Sequence, residues 1–221
     1  SPPVVDLLGS HPYGGGMAPT QKLKAPIAMS AQTNSTLVSA LWPESRGDVL
    51  RLGAVVVLGT LLLTASAKIQ VPFWPVPMTM QTFVVLFLGA ALGPRLGALT
   101  VLLYLAQGAL GLPVFAGTPE KGIGLAYMLG PTGGYLIGFV PAAYVVGWLA
   151  ERGWDRSVPR LFVAMLLGHI VLFAFGVIWL AQLVGFEKAW ALGVVPFYAA
   201  TLFKTALGAC LVPGLWQLAK R

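Results

Sequence analysis

Long apolar segments, separated by short polar interruptions, make up most of this sequence. Charge-free stretches at positions 69–94, 96–119, 122–150 and 161–186 each exceed the roughly 20 residues that a membrane-spanning helix needs. The expected fold class is therefore an all-α integral membrane protein. The apolar pattern predicts a bundle of six transmembrane helices, at about 50–67, 78–92, 96–110, 131–150, 160–183 and 195–218.

The long interruption in this pattern covers residues 111–139, and it contains seven glycines before Tyr135. A segment so rich in Gly and Pro suits a backbone that must approach another group closely. Pro131 is expected in the first turn of the fourth helix, where its fixed φ is tolerated. Earlier in the chain, the sequence Gly93-Pro94-Arg95 predicts a tight turn between two antiparallel helices.

Composition supports the membrane class, because 57% of the residues are hydrophobic and only 10% are charged, against about 25% charged in soluble domains. Residues 1–44 are predicted to be a flexible N-terminal segment, and residues 45–221 to be one six-helix membrane domain. Met29 is a candidate native start, which would make residues 1–28 an added leader. The single Cys210 is expected to be a packing residue.

Charge asymmetry predicts the orientation in the membrane. Eight Lys and Arg residues lie near the helix ends on one side: Arg46, Arg51, Arg95, Arg152, Arg156, Arg160, Lys220 and Arg221. Three lie on the other side: Lys68, Lys121 and Lys188. The positive-inside bias therefore puts both termini in the cytoplasm, and makes 69–77, 111–130 and 185–194 outward loops.

Uncharged polar residues collect at the predicted outer ends of the helices and describe an outward-facing cup: Gln70, Thr79, Gln81, Thr82, Gln107 and Gln182. Each could instead be a helix-end or interhelical hydrogen bond. Aromatic residues surround the cup: Phe73, Trp74, Phe115, Tyr127, Tyr135, Phe197 and Tyr198. Some of these are expected to belong only to the interfacial aromatic belt.

Lys204 is the strongest single signal, because 15 uncharged residues lie on each side of it. A lysine deep in a membrane helix costs about 2.5–3.5 kcal/mol on insertion scales, so it normally faces the bundle interior and an anion. The other interpretation is a structural contact with backbone carbonyls or a hydroxyl. Thr201, at i−3, shares its face. His169 has no intramembrane carboxylate to partner it and is expected to be a core residue.

No P-loop, zinc-protease motif, Ser-His-Asp set or pair of intramembrane carboxylates is present. We therefore expect no enzyme, no cofactor and no metal site, and no nucleic acid as partner. The residues alone favour capture of a small, partly apolar anion. A membrane enzyme acting on a small acid stays open as a weaker alternative.

Four motifs in combination, PVPMTMQT, GPRLGAL, GLPVFAG and GPTGGYLIGF, resemble the BioY family, the biotin-specific S components of energy-coupling factor (ECF) vitamin transporters. The resemblance covers residues 50–218 and implies a six-helix S-component fold in the plasma membrane, with biotin as substrate on the outer side. It also implies a transmembrane coupling (T) protein and two ABC-type ATPases as partners. A solitary biotin facilitator, and an S component for another small carboxylate vitamin, remain alternatives.

Family resemblance also suggests site residues. The family uses an Asp and a Lys one turn apart on helix 6, and an Asn in the third loop. Lys204 matches the Lys, whereas Thr201 stands at the Asp position and Gly117, next to Thr118, at the Asn position. The full expected ligand-binding set is Lys204, Thr201, Gly117, Thr118, Tyr135, Phe73, Trp74, Gln81, Gln107 and Phe197. The small-residue docking pattern that S components often carry on helix 1 is approximated by Gly53, Ala54 and Gly59.

Overall fold

The computed structural model describes residues 36–42, 49–71 and 75–219, and these form a helical bundle with one small hairpin. The helices are α1 (Leu37–Leu41), α2 (Val49–Lys68), α3 (Gln81–Ala109), α4 (Gly124–Met128), α5 (Gly133–Ala150), α6 (Val158–Val184), α7 (Phe186–Gly193) and α8 (Tyr198–Ala219). Strands β1 (Gln70–Val71) and β2 (Met78–Thr79) pair antiparallel, with Gln70 opposite Thr79. Short 3₁₀ turns cover Trp154–Arg156 and Val195–Phe197.

Five helices are long and apolar enough to cross a membrane by length and composition. The second of them, α3, is broken at Gly93, whose φ of 82° and ψ of 176° are not helical. A Cβ on Gly97 would lie 3.0 Å from the Cα of Gly89, so the two halves of α3 fold back on each other. The predicted hairpin at Gly93-Pro94-Arg95 is therefore confirmed, and the six predicted segments are all present.

Close backbone contact between α3 and α5 holds the centre of the bundle, where these two helices pack most extensively. A Cβ on Gly89 would lie 2.4 Å from the carbonyl oxygen of Ala143, and one on Gly147 would lie 2.5 Å from the Pro94 nitrogen. Two glycines of α5 pack against α6, where Gly134 contacts Trp179 and Gly138 contacts Leu172 and Phe175. Small residues thus substitute for side-chain interdigitation, as in many membrane bundles.

Several predicted boundaries were wrong at the end of the bundle near α4 and α7. The second helix begins at Gln81, because Met78 and Thr79 form strand β2, and α5 begins at Gly133, which leaves Pro131 ahead of its first turn. Two segments predicted as loops contain helices α4 and α7. In α7, Ala189 is buried while Phe186 and Trp190 are exposed. Eight residues are too few for the sequence to show a clear helical period.

At the opposite end of the bundle, the turn between α5 and α6 is tied to the end of α8. The indole Nε1 of Trp216 donates a hydrogen bond to the buried carboxylate of Asp155, and the guanidinium of Arg156 lies over the Trp216 ring. Burial raises the pKa of the Asp155 carboxyl, although the Trp216 hydrogen bond and Arg156 oppose that shift. This end holds the arginine-rich loops, so the charge asymmetry read from the sequence corresponds to two distinct ends of the bundle.

A substitution of Gly89 tests the close contact between α3 and α5. Gly89→Ala should lower the unfolding temperature in detergent, because its Cβ would clash with a backbone carbonyl; overpacking typically costs about 1–3 kcal/mol. Gly53→Ala on α2 is the matched control, since nothing lies within 4 Å of its Cβ position and alanine favours a helix. Equal unfolding temperatures for the two variants, measured by scanning fluorimetry, would contradict the proposed packing.

Candidate functional site

A cavity opens at the end of the bundle that carries β1, β2, α4 and α7. It has about 550 Å³ of space free of atoms, part of it open to solvent. Residues from the hairpin, the 111–132 segment, the 3₁₀ turn Val195–Phe197 and the helices α3, α5, α6 and α8 line it: Val76, Pro77, Thr79, Gln81, Thr82, Ala116, Tyr127, Thr132, Tyr135, Leu136, Phe139, Leu172, Phe173, Phe197, Thr201 and Lys204.

Lys204 supplies the positive charge of this cavity from the second turn of α8. Its side chain is buried, with 7% of its surface exposed, and its Nζ donates a hydrogen bond of 3.1 Å to Thr82 Oγ1. Because an ammonium group has three donors, one bond to Thr82 leaves donors for a ligand. Among the described residues that line the cavity, none carries a carboxylate. The charge is therefore not balanced by an acid in the wall.

Gln81 and Tyr104 form a buried polar chain beneath the cavity. The Gln81 Nε2 donates to the Tyr104 hydroxyl at 2.7 Å, and that hydroxyl donates in turn to the Val114 carbonyl oxygen at 2.8 Å. Both side chains are almost completely buried. The chain connects α3 to the segment 111–123, whose residue Ala116 lines the cavity, so the first turn of α3 and this segment hold each other in place.

Residues 111–123, which we call the cavity loop, owe their shape to side chains that bind their carbonyl groups. The Tyr127 hydroxyl donates to the Ala116 carbonyl at 2.8 Å, and burial raises its pKa, so it stays a donor at neutral pH. Lys68 Nζ donates to the Phe115 and Thr118 carbonyls, each at 3.0 Å. Gly117 has a φ of +73°, a conformation that costs glycine little.

Aromatic rings form the apolar walls. Phe173 lies between Tyr135 and Phe197, with ring centroids 6.2 Å from each. The Tyr135 hydroxyl donates to the Gly193 carbonyl oxygen at 2.9 Å, which ties α5 to the end of α7. Phe115 stacks on Tyr127 with centroids 5.1 Å apart. These contacts set the apolar rings in fixed orientations around the space that Lys204 faces.

His169 lies next to this site but does not line it. Its Nδ1 is 3.0 Å from the Met165 carbonyl oxygen and 3.2 Å from Thr205 Oγ1, and its ring stacks on Phe173. Only 1% of its surface is exposed. The expectation of a hydrogen-bonded core histidine is confirmed.

The structure brings five of the ten predicted site residues together in the cavity lining: Lys204, Thr201, Tyr135, Gln81 and Phe197. Phe73 and Trp74 lie outside the described residues.

Three predicted site residues do not line the cavity. Gln107 Nε2 instead contacts Thr60 Oγ1 of α2 at 3.5 Å. Thr118 turns its hydroxyl to Lys68 Nζ, at 3.0 Å, and to the Phe115 carbonyl. Gly117 lies beside the side chain of Lys121, and its neighbour Ala116 lines the cavity in its place.

Among the lining residues outside the predicted set, two groups differ in how visible they were in the sequence. Thr79, Thr82 and Tyr127 were assigned to the polar cup or its aromatic rim, and their position at the predicted outer ends was the signal. Phe139 and Phe173 sit within uniformly apolar helices, where nothing in the sequence distinguishes a cavity wall from a lipid-facing or core position.

Comparisons with known proteins identify the family and the fold. The sequence model of the BioY family matches residues 29–221. A probable biotin transporter BioY of Pyrococcus horikoshii is 43% identical over 153 residues, covering 69% of this chain and 88% of that protein. The biotin transporter BioY of Thermotoga maritima is 39% identical over 160 residues, covering 72% and 92%. A crystal structure of the S component for biotin from an ECF-type ABC transporter superposes with a TM-score of 0.66 at 26% identity, covering 76% of this chain and 92% of that one.

The polar chain under the cavity can be tested by removing one hydroxyl. Tyr104→Phe should destabilise the fold by about 1–3 kcal/mol, because Gln81 Nε2 and the Val114 carbonyl each lose a buried partner. Tyr144→Phe is the matched control, since Tyr144 is 47% exposed on α5. Thermal unfolding in detergent measures both variants. An unfolding temperature for Tyr104→Phe as high as that of the control would show that the chain contributes nothing.

Proposed function

This chain belongs to the BioY family, and we propose that it is the biotin-binding S component of an ECF-type importer. The observation that carries the proposal is Lys204, a buried lysine that faces a partly apolar cavity whose described lining residues include no acid. Buried charges are normally paired, so this one calls for a ligand that brings the acceptor. The protein is then a membrane transport protein rather than an enzyme, with biotin as its substrate.

Biotin has the chemistry that the cavity requires. Its thiophane ring and valerate chain are apolar, and they suit walls formed by Tyr135, Phe173 and Phe197. Its carboxylate and its ureido oxygen are acceptors for Lys204, and its ureido N–H groups are donors for a hydroxyl or amide oxygen. Thr201 and Gln81 carry such oxygens in the lining. In this proposal they replace the carboxylate that the family carries one turn before the lysine.

The proposed site consists of the five lining residues Lys204, Thr201, Tyr135, Gln81 and Phe197, together with the cavity loop. Gly117 and Thr118 contribute by shaping the loop, and Gln107 by joining α3 to α2. Phe73 and Trp74 stay predictions from the sequence. No cofactor is proposed, because recognition needs only these protein groups and biotin itself.

The chain is a multi-pass membrane protein, and we propose that its cavity opens at the outer face of the plasma membrane with both termini in the cytoplasm. The charge asymmetry between the two ends of the bundle supports this orientation. The proposed partners are a transmembrane coupling protein and two ABC-type ATPases. Gly53 and Ala54 of α2 are exposed and available for docking, whereas Gly59 is buried against Thr100 of α3.

Titration calorimetry of the purified protein tests the biotin proposal. Wild type should bind biotin with one site per chain, and Lys204→Met should weaken binding by about 2–5 kcal/mol, because a charged hydrogen-bond partner is lost from a desolvated site. Lys188→Met, which removes an exposed lysine from α7, should bind like wild type. Absence of biotin heat from folded wild type would end the proposal.

A second ligand separates two roles for Lys204. If Lys204 contacts the carboxylate, wild type should bind biotin more tightly than biotin amide, and Lys204→Met should bind the two ligands with similar affinity. If it contacts the ureido group, both ligands should weaken together. Equal affinity of wild type and Lys204→Met for biotin would remove Lys204 from the site.

Uptake into liposomes tests the partner requirement. The chain alone should bind biotin without accumulating it, because its sequence carries no P-loop to energise transport. Addition of a coupling protein and ATPases should give ATP-dependent uptake. Uptake by the chain alone, at a rate unchanged by ATP and partners, would contradict the S-component assignment and support a solitary facilitator.

A further inference from the structure

Lys68 is the last residue of α2, and its side chain reaches into the cavity loop. Its Nζ lies 3.0 Å from the Phe115 carbonyl oxygen, 3.0 Å from the Thr118 carbonyl oxygen and 3.0 Å from Thr118 Oγ1. All three donors of the ammonium group are therefore used. Thr118 Oγ1 also donates to the Phe115 carbonyl at 2.7 Å, which closes a compact hydrogen-bonded unit.

This arrangement differs from what a lysine at a helix end usually does. Such a lysine commonly interacts with the last carbonyls of its own helix or extends toward the membrane interface. Here the acceptors lie 47 and 50 residues further along the chain. The contact is a long-range tie between two elements, made by charge-assisted hydrogen bonds, which are about twice as strong as neutral ones.

The atoms that Lys68 holds flank a residue of the cavity wall. Ala116 lines the cavity and lies between Phe115 and Thr118, whose carbonyls bind Lys68. The Phe115 ring fills the space above Gly108 and stacks on Tyr127. A displacement of the Lys68 ammonium would therefore remove hydrogen bonds on both sides of Ala116 and loosen one wall of the site.

Of the five candidate spans, α2 is the least buried within the described part of the chain. It is thus the span with most surface facing lipid or another protein, and the one that can shift with the smallest loss of internal packing. The other side-chain ties of the loop come from Tyr104 and Tyr127, on α3 and α4. Lys68 connects the loop to α2, and it is the only one to do so among the described residues whose side chains bind loop carbonyls.

We propose that Lys68 is a positioning residue that holds the cavity loop closed over the ligand and couples this closure to the position of α2. The identity of the ligand rests on the proposed function, but the coupling itself does not. Loss of the tie should make the loop open more often and let a bound ligand leave faster. Arginine at this position keeps the charge and several donors, so it should restore part of the effect.

Hydrogen–deuterium exchange on the ligand-free protein tests the tie directly. Lys68→Met should increase exchange in residues 111–123 by about tenfold or more, the factor expected for losing a charge-assisted hydrogen bond. Lys68→Arg should fall between Lys68→Met and wild type. Lys188→Met, which removes an equivalent exposed charge at the same end, should exchange like wild type. Unchanged exchange in the loop of Lys68→Met would overturn the proposal.

Dissociation of biotin, followed by displacement of labelled biotin, tests the consequence for the site. Lys68→Met should release biotin about tenfold faster or more, with little change in the association rate, and Lys68→Arg should recover part of the loss. If Lys68→Met does not fold, Thr118→Val provides the second variant, because it removes one acceptor and keeps the side-chain shape. Faster loop exchange with unchanged release would refute the positioning role.

The two measurements separate this inference from the proposed function. If folded wild type binds no biotin, the biotin assignment fails, whereas loop exchange still decides whether Lys68 ties the loop to α2. If biotin binds but neither Lys68→Met nor Thr118→Val alters loop exchange, the assignment stands and the tie is refuted.

Discussion

The backbone carbonyls of the cavity loop need hydrogen-bond donors, and the shape of the rest of the site depends on which side chains supply those donors. Val114, Phe115 and Ala116 of this loop are buried, so their carbonyls have little access to water, and each unsatisfied one is costly. Here Tyr104, Lys68 and Tyr127 bind the carbonyls of Val114, Phe115 and Ala116. Consecutive residues are thus anchored to three helices. This anchoring turns a glycine-rich segment into a wall of defined shape.

The helices that line the cavity are closely packed at one end and not at the other. The hairpin of α3 lies against α5 with backbone contacts at Gly89 and Gly147, so those helices have no space between them. Near their other ends the same helices carry Gln81, Thr82 and Tyr135, whose larger side chains line the cavity. The cavity therefore forms where helix ends with polar and aromatic residues meet.

Local sequence signals were sufficient for the long apolar segments, the hairpin at Gly93 and the face shared by Thr201 and Lys204, because each depends on spacing within one element. They were insufficient for Thr118 and Gln107, whose partners Lys68 and Thr60 come from α2, distant in the chain. A polar residue near a predicted cup looks the same whether it faces a ligand or a neighbouring helix. Helix α7 was missed for another reason, since eight residues give too few turns for a clear period.

Lys68 and Lys204 illustrate why the number of acceptors matters more than the residue type. Both are lysines that reach into the same end of the bundle, and both were visible in the sequence. Lys68 meets three acceptors of the protein itself, so its charge is already used in holding the loop. Lys204 meets one hydroxyl, that of Thr82, in a space walled by aromatic rings. A buried ammonium with donors to spare needs a further acceptor, and that need separates the lysine proposed to bind the ligand from the one proposed to hold the loop.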